Sequence, residues 1–148
     1  WRLTGIYGRP EAHLRHETWS LLRVLSSQIN IPWLCVGDFN EILLVAEKEG
    51  GNKRSGRQMD AFRHALDFCR LRDMGFQGCP FTCRNGGSGE ERVSSRLDRC
   101  VSTTEWLSLF PRATVTHEVC GISDHCPMLL SLHGSKKIKT RQEEINQV

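Results

Sequence analysis

Asp38 and Asn40, within Val36-Gly37-Asp38-Phe39-Asn40, stand two residues apart at the end of an apolar run that begins at Ile31. If that run is a strand, both side chains point to the same side where the chain leaves the sheet. A carboxylate there can take a proton, and an amide beside it can hold a phosphate oxygen. Far along the chain, Ser123-Asp124-His125 sets a carboxylate next to an imidazole, a pair able to bind a divalent cation or to stabilise charge on a phosphoryl group. Ser95-Arg96-Leu97-Asp98-Arg99 adds a carboxylate, Asp98, that can orient His125. Together these pieces describe part of a phosphodiester-cleaving site. Each also has a plainer explanation. Gly, Asp and Asn are ordinary turn residues, and a pairing of Asp98 with Arg96 or Arg99 at the surface would be worth only about 0–1 kcal/mol. The alternation in residues 95–99 argues for the first reading, since it puts Arg96 and Asp98 on one strand face with Leu97 inward.

The elements that must position these residues follow from periodicity. Leu3 to Tyr7 reads as a strand, and Pro10 with Glu11 opens a helix carrying Leu14, Leu21, Leu22, Leu25 and Ile29 on one side. Asn30 and Pro32 end it. Residues 47–57 form a polar, Gly-rich connection expected at the surface, and a second helix follows with Met59, Phe62, Leu66 and Cys69 on one face. From Phe76 the pattern turns strand-like, with a hairpin connection at Asn85 to Glu90 leading into a strand from Val93 to Val101. Thr103 or Thr104 caps a short helix through Leu109. Strands are expected at Ala113–Val119 and Met128–Leu132, with Asp124 and His125 in the tight segment between them. Trp19, Trp33 and Trp106 fall in apolar patterns and are assigned to the core. Strands and helices mix without strict alternation, which favours an α/β layered sandwich over a doubly wound parallel sheet.

The 148 residues fit one domain with an ordinary balance of 39% apolar and 25% charged residues. A net charge of +3 is compatible with a polyanionic substrate but does not name one. Arg54 and Arg57, from a basic stretch, and Arg96, beside Asp98, are the candidate nucleic-acid contacts; solvated loop and helix charge is the competing explanation. The seven cysteines are expected to be reduced, several of them lying in apolar runs. Cys79 and Cys83 lack a second Cys or His pair at zinc-site spacing. The five histidines other than His125 have no acidic company of this kind and are assigned structural roles. No apolar run of spanning length appears, so no membrane partner is expected. Beyond His133 apolar periodicity is lost, and residues 133–148 are expected to form a flexible tail.

GDFN at 37–40, RLDR at 96–99 and SDH at 123–125, in this order, resemble the endonuclease/exonuclease/phosphatase superfamily, the fold shared with DNase I. Thr4-Gly5-Ile6-Tyr7-Gly8, Phe81-Thr82 and Asp124-His125-Cys126-Pro127 are similar to the apurinic-type endonuclease domain of plant non-LTR (LINE-type) retrotransposons. The resemblance covers residues 1–132. It implies a partial four-layer α/β sandwich, with two mixed, mainly antiparallel sheets flanked by helices. It also implies a magnesium-dependent hydrolase (Mg2+, with Mn2+ as the alternative) that nicks DNA to leave a 3′-hydroxyl, in partnership with a reverse transcriptase region of the same polyprotein and placed in nucleus or cytoplasm. By the same resemblance Tyr7 contacts phosphate, Asp38 activates water and also contributes to the metal, and Asn40 holds a phosphate oxygen. Asp98 pairs with His125, His125 contacts the scissile phosphate, and Asp124 assists the metal. Cys83 stands where relatives often carry an aromatic residue.

Relatives also use an Asn and a metal-binding Glu from an amino-terminal half that this chain is expected to lack, and a chain beginning at Trp1 is expected to start inside a larger reading frame. Two rivals stand beside the nuclease: a catalytically inactive retroelement remnant with at most weak nucleic-acid binding, and a phosphatase acting on inositol phosphates or lipids. TGIYG, RLDR and SDHCP read closer to the retroelement nucleases than to the phosphatases.

Overall fold

The computed structural model describes residues 1–86, 89 and 92–134. β1 (Arg2–Tyr7) and β2 (Trp33–Asp38) run parallel, joined by α1 (Arg15–Gln28), which a single 3-10 turn over Ala12–Leu14 precedes. After β2 come β3 (Lys48–Glu49), α2 (Gly56–Phe68), β4 (Arg72–Asp73) and β5 (Gln77–Gly78). Then follow β6 (Cys83–Asn85), β7 (Val93–Ser95), β8 (Asp98–Ser102), α3 (Thr104–Leu109), β9 (Thr114–His117) and β10 (Met128–Ser131). The strands form a four-stranded sheet in the order β1-β2-β8-β4 and two three-stranded sheets, β10-β9-β5 and β3-β7-β6. Parallel and antiparallel pairs are mixed, with the antiparallel ones predominating. No helix among the described residues is long and apolar enough to cross a membrane.

The alternation of β2 explains the layers. Trp33 and Cys35 project into a core with Trp19, Leu22, Phe39, Phe62 and Leu66, so α1 and α2 cover that face. Trp19 and Phe62 stack across the two helices with ring centroids 4.4 Å apart. Leu34 projects the other way into a core with Cys100, Trp106 and Val115, which packs the β9–β10 sheet and α3 against the opposite face. Trp19, Trp33 and Trp106 are all buried. Thr103 caps α3 by accepting the Trp106 N–H. In α1 the buried stripe is Arg15, Trp19 and Leu22, at i, i+4 and i+7, whereas Leu21 faces outward, as does Ile29 just past the helix end. The packing of Trp19 on α2 fixes that rotation.

Two expectations about β-structure are corrected here. Residues 93–101 are not one strand: the chain breaks at Arg96-Leu97, so β7 and β8 join different sheets. The buried Thr82 hydroxyl accepts both the Leu97 and the Asp98 N–H at 3.0 Å, while Phe39 N–H donates to Leu97 carbonyl, and these bonds replace a ladder at the break. Nor is residue 47–57 wholly a surface connection, because Glu47 turns inward and Lys48–Glu49 pair with β7. β6 and β7 are antiparallel partners with Asn85 opposite Val93; residues 87, 88 and 90 of the expected hairpin connection, residue 91 after it, and 135–148 of the expected tail lie outside the described residues.

Glu47 turns inward because two arginines are buried beside it. Arg99 donates to Glu47 at 2.8 Å and Asp73 at 2.6 Å, and Arg96 donates to Glu47 at 3.0 Å and Asp73 at 2.8 Å. Burial alone would raise both carboxyls, but the hydrogen bonds and charges of the two guanidinium groups outweigh it and hold Glu47 and Asp73 below the ordinary carboxylate range. A carboxyl depressed in this way contributes stability above its unfolded pKa of about 4 and loses it as pH falls through the folded value. Asp73→Ala is therefore expected to destabilise the fold by about 3–5 kcal/mol at neutral pH, the usual result of removing one partner from a buried ion pair. The difference from the parent should shrink under acid. Denaturant midpoints for both proteins at neutral and acid pH test this, and a gap independent of pH would count against the network.

Candidate active site

The β2–β8 register sets Asp38 directly opposite Asp98, and the β1–β2 register sets Tyr7 beside Asp38. Three polar positions thus lie in a row across the end of the sheet. His125 reaches them from the turn before β10. Its Nδ1 is 2.8 Å from Asp98 Oδ2, and its Nε2 is 3.8 Å from Asp38 Oδ2. Asn40, at φ +52°, continues from the end of β2; its N–H donates to Asp38 Oδ1 at 2.8 Å and its Nδ2 donates to the Gly8 carbonyl at 2.8 Å. Asp38, Asn40, Asp98 and His125 therefore meet at one end of the sheet.

Close backbone packing holds this end together. A Cβ on Gly37, at φ +147°, would sit 2.0 Å from the Ile6 carbonyl oxygen, and one on Gly8 would sit 2.5 Å from that of Phe39. Glu41, just past Asn40, is fully buried and anchors the turn: Arg15 donates to its Oε2 at 2.9 Å, and the Ile42 N–H donates to its Oε1. Sequence reasoning missed Glu41. An acid immediately after GDFN in an apolar stretch was the available signal, although its partners, Arg15 and Arg54, lie elsewhere in the chain. Thr82, which holds the Asp98 N–H, was noted only through resemblance.

The other predicted site residues are placed as follows. Tyr7 is 80% exposed at the β1 edge of the sheet. Asp124 is exposed beside His125, its carbonyl accepting the Arg84 N–H at 2.8 Å. Arg54 lies with Nε 3.0 Å from Glu41 Oε1, out of hydrogen-bond alignment, and Arg57 is exposed on α2. Arg96 is 4% exposed and engaged by two carboxylates, so it does not share an open face with Asp98. The break at residues 96–97 is the physical reason. The expectation of reduced cysteines is also corrected, because Cys120 and Cys126 form a disulfide that closes the loop bearing Asp124 and His125. Cys35, Cys69, Cys79, Cys83 and Cys100 are free.

No protein-family model and no curated protein matches the sequence. Among solved structures, the endonuclease domain of TRAS1, a telomere-specific non-LTR retrotransposon, matches with a TM-score of 0.65 at 20% identity, over 92% of this chain and 60% of that one. The fold is the DNase I-like endonuclease fold. This chain spans about three fifths of its neighbour's length.

The site is part-buried, the Asp38, Asp98 and His125 side chains being 12%, 14% and 35% exposed. A cavity of about 410 Å³ lined by Pro32, Trp33, Cys69 and Thr103 adjoins the opposite end of β2 from Asp38. Burial raises Asp38 above the ordinary carboxylate range; the Asn40 N–H opposes this and the Asp98 charge adds to it. Burial alone would lower His125, but the hydrogen bond and charge of Asp98, with Asp38 and Asp124, reverse that and hold the imidazole above its ordinary value. Burial and then the charges of Asp124, Asp98 and Asp38 push the Cys83 thiol up to about 11. Asp38, Asp98 and His125 each offer a ligand atom within 4.8 Å of the others, a donor set that fits a divalent cation. Asp98→Asn should lower the His125 pKa, because the substitution keeps the shape and removes the charge. Histidine proton resonances followed against pH give the value, and an unchanged midpoint would remove Asp98 as the orienting partner.

Proposed function

We propose that this chain is a divalent-metal-dependent phosphodiester hydrolase of retrotransposon origin that nicks DNA. The observation that carries the reading is the 3.8 Å gap between Asp38 Oδ2 and His125 Nε2, with Asp98 holding the other ring nitrogen. The gap is too long for a hydrogen bond, and an oxygen atom set off the line joining the two groups can sit at hydrogen-bond distance from both. Asn40 occupies Asp38 Oδ1, leaving Oδ2 as the atom that accepts the proton of the attacking water. A carboxyl raised above its usual range is a stronger base for that task. The imidazole, held toward its protonated form, donates to a phosphate oxygen as negative charge accumulates. Asn40 Nδ2 donates one N–H to the Gly8 carbonyl, and the second is assigned to the same purpose as the imidazole.

Asp38 and Asp124 are the residues proposed to hold magnesium, with manganese as the alternative. When bound, such an ion neutralises charge on the phosphate. Tyr7, beside Asp38 in register, is proposed as a phosphate contact, and exposed Arg57, with Arg54 near Asn40, as duplex contacts. The TGIYG, Phe81-Thr82 and DHCP strings support placement with the plant LINE-type nucleases, whose nicked 3′-hydroxyl end primes a reverse transcriptase region of the same polyprotein. The inactive-remnant reading has its own support, because a hard dication prefers more oxygen ligands than these carboxylates supply.

Nicking of supercoiled plasmid in magnesium separates the two. Asp38→Ala and His125→Ala are each expected to lower the rate by about a hundred- to a thousandfold, the usual loss for one group that stabilises a transition state. Chelation should abolish the activity, and a longer protein restoring an upstream half should exceed this chain at equal concentration. No nicking by either protein would leave the remnant reading. Nicking indifferent to both substitutions would place the chemistry elsewhere.

A further inference from the structure

The hydrolytic reading leaves Cys83 without a task, although its thiol adjoins the two charged residues of the 123–126 turn. Cys83, Asp124 and His125 each offer one ligand atom within 4.8 Å of the other two. Their backbones are tied together: Cys83 forms an antiparallel bridge to His125, Arg84 N–H donates to the Asp124 carbonyl at 2.8 Å, and Cys126 N–H donates to the Thr82 carbonyl at 2.7 Å. The Cys120–Cys126 disulfide closes the same turn. A donor set built on β6 and a clamped turn is fixed before any cation arrives. Cys83 supplies the wall, being 3% exposed, while Asp124 is exposed and leaves the approach open to solvent.

The chemistry of the donors differs from that of the carboxylate pair next to it. A thiolate and an imidazole are poor ligands for magnesium and good ones for zinc(II), which takes sulfur, nitrogen and carboxylate oxygen in a four-coordinate shell. Three protein donors leave a fourth position for water. Asp98 holds Nδ1 of His125, so the remaining ring nitrogen is the one available, in the carboxylate–histidine–metal arrangement that raises ligand basicity. We propose that Cys83, Asp124 and His125 bind zinc(II), and that zinc so bound silences the phosphodiester hydrolase by occupying His125. The silencing rests on the proposed function; the binding does not. Binding releases the Cys83 thiol proton to solvent and changes no oxidation state.

Cobalt(II) is the probe for the site, because a cobalt–thiolate bond gives a near-ultraviolet charge-transfer band that oxygen-only sites lack. The full chain, with its disulfide intact, should develop that band and lose it on addition of one equivalent of zinc, while excess magnesium leaves it in place. Cys83→Ser should abolish the band and Cys79→Ser should keep it, Cys79 being a part-exposed free thiol outside the cluster. Asp124→Asn, a surface change with little bearing on folding, should weaken zinc by at least about tenfold. No thiolate band, or a band that survives Cys83→Ser, overturns the site. In plasmid nicking, the zinc concentration for half-inhibition should rise at least about tenfold in Cys83→Ser, and equal sensitivity of the two proteins overturns the silencing. A chain that binds cobalt through Cys83 yet never nicks DNA keeps the zinc site and sinks the hydrolase reading, so the two failures are told apart.

Discussion

Asp38 and Asp98 stand directly opposite each other on neighbouring antiparallel strands, and like charges in that position repel. His125 makes the pair tolerable. Its imidazole bonds to one carboxylate and faces the other, so a proton held on the ring offsets the repulsion that the sheet register creates. Burial and the Asp98 charge draw the proton affinity of Asp38 above its ordinary value, while the Asp98 hydrogen bond and the carboxylate charges draw that of His125 above its own against the opposing effect of burial. The electrostatics of the site therefore follow from one register. Shift β8 by one residue against β2 and Asp98 turns to the other face of the sheet.

That register is itself braced from the opposite face. Arg99 follows Asp98 on β8, and by the alternation of a strand it points away from the site into the Glu47 and Asp73 carboxylates. A buried ion pair is seldom a large net source of stability, because both charges are desolvated. What it does supply is direction: Arg96 and Arg99 meet their carboxylate partners only when residues 47, 73 and 96–99 assemble in one arrangement, which sets where β8 begins. Thr82 fixes the same point from the other side through the Leu97 and Asp98 N–H groups. The break between β7 and β8 is thus a positioning device for Asp98.

Thr82 and Cys83 also link the site to the turn that carries His125. Through their backbone bonds to residues 124–126, β6 sets the height at which the imidazole meets Asp98. A thiol, an exposed carboxylate and an imidazole come together there as a by-product of that fastening. Hard oxygen donors and a soft thiol consequently have one histidine as a common neighbour.

By itself the sequence determined what depends on local pattern. The apolar run before Asp38, the faces of the second helix, the Thr103 cap and the three tryptophans of the core were legible because period, capping and composition are properties of neighbouring residues. GDFN, RLDR and SDH were legible as pieces of one site because their chemistry complements. Tertiary structure alone decided which charges are buried. Arg96 reads as a solvent-facing strand residue, yet it is interior because Glu47 and Asp73 lie 49 and 23 residues away in the chain and fold onto it. Glu41 is interior because Arg15 arrives from a helix 26 residues earlier, and Cys120 finds Cys126 because the turn between them folds back on itself. The desolvation of a charge is set by everything packed around it, and no window along the chain contains those partners.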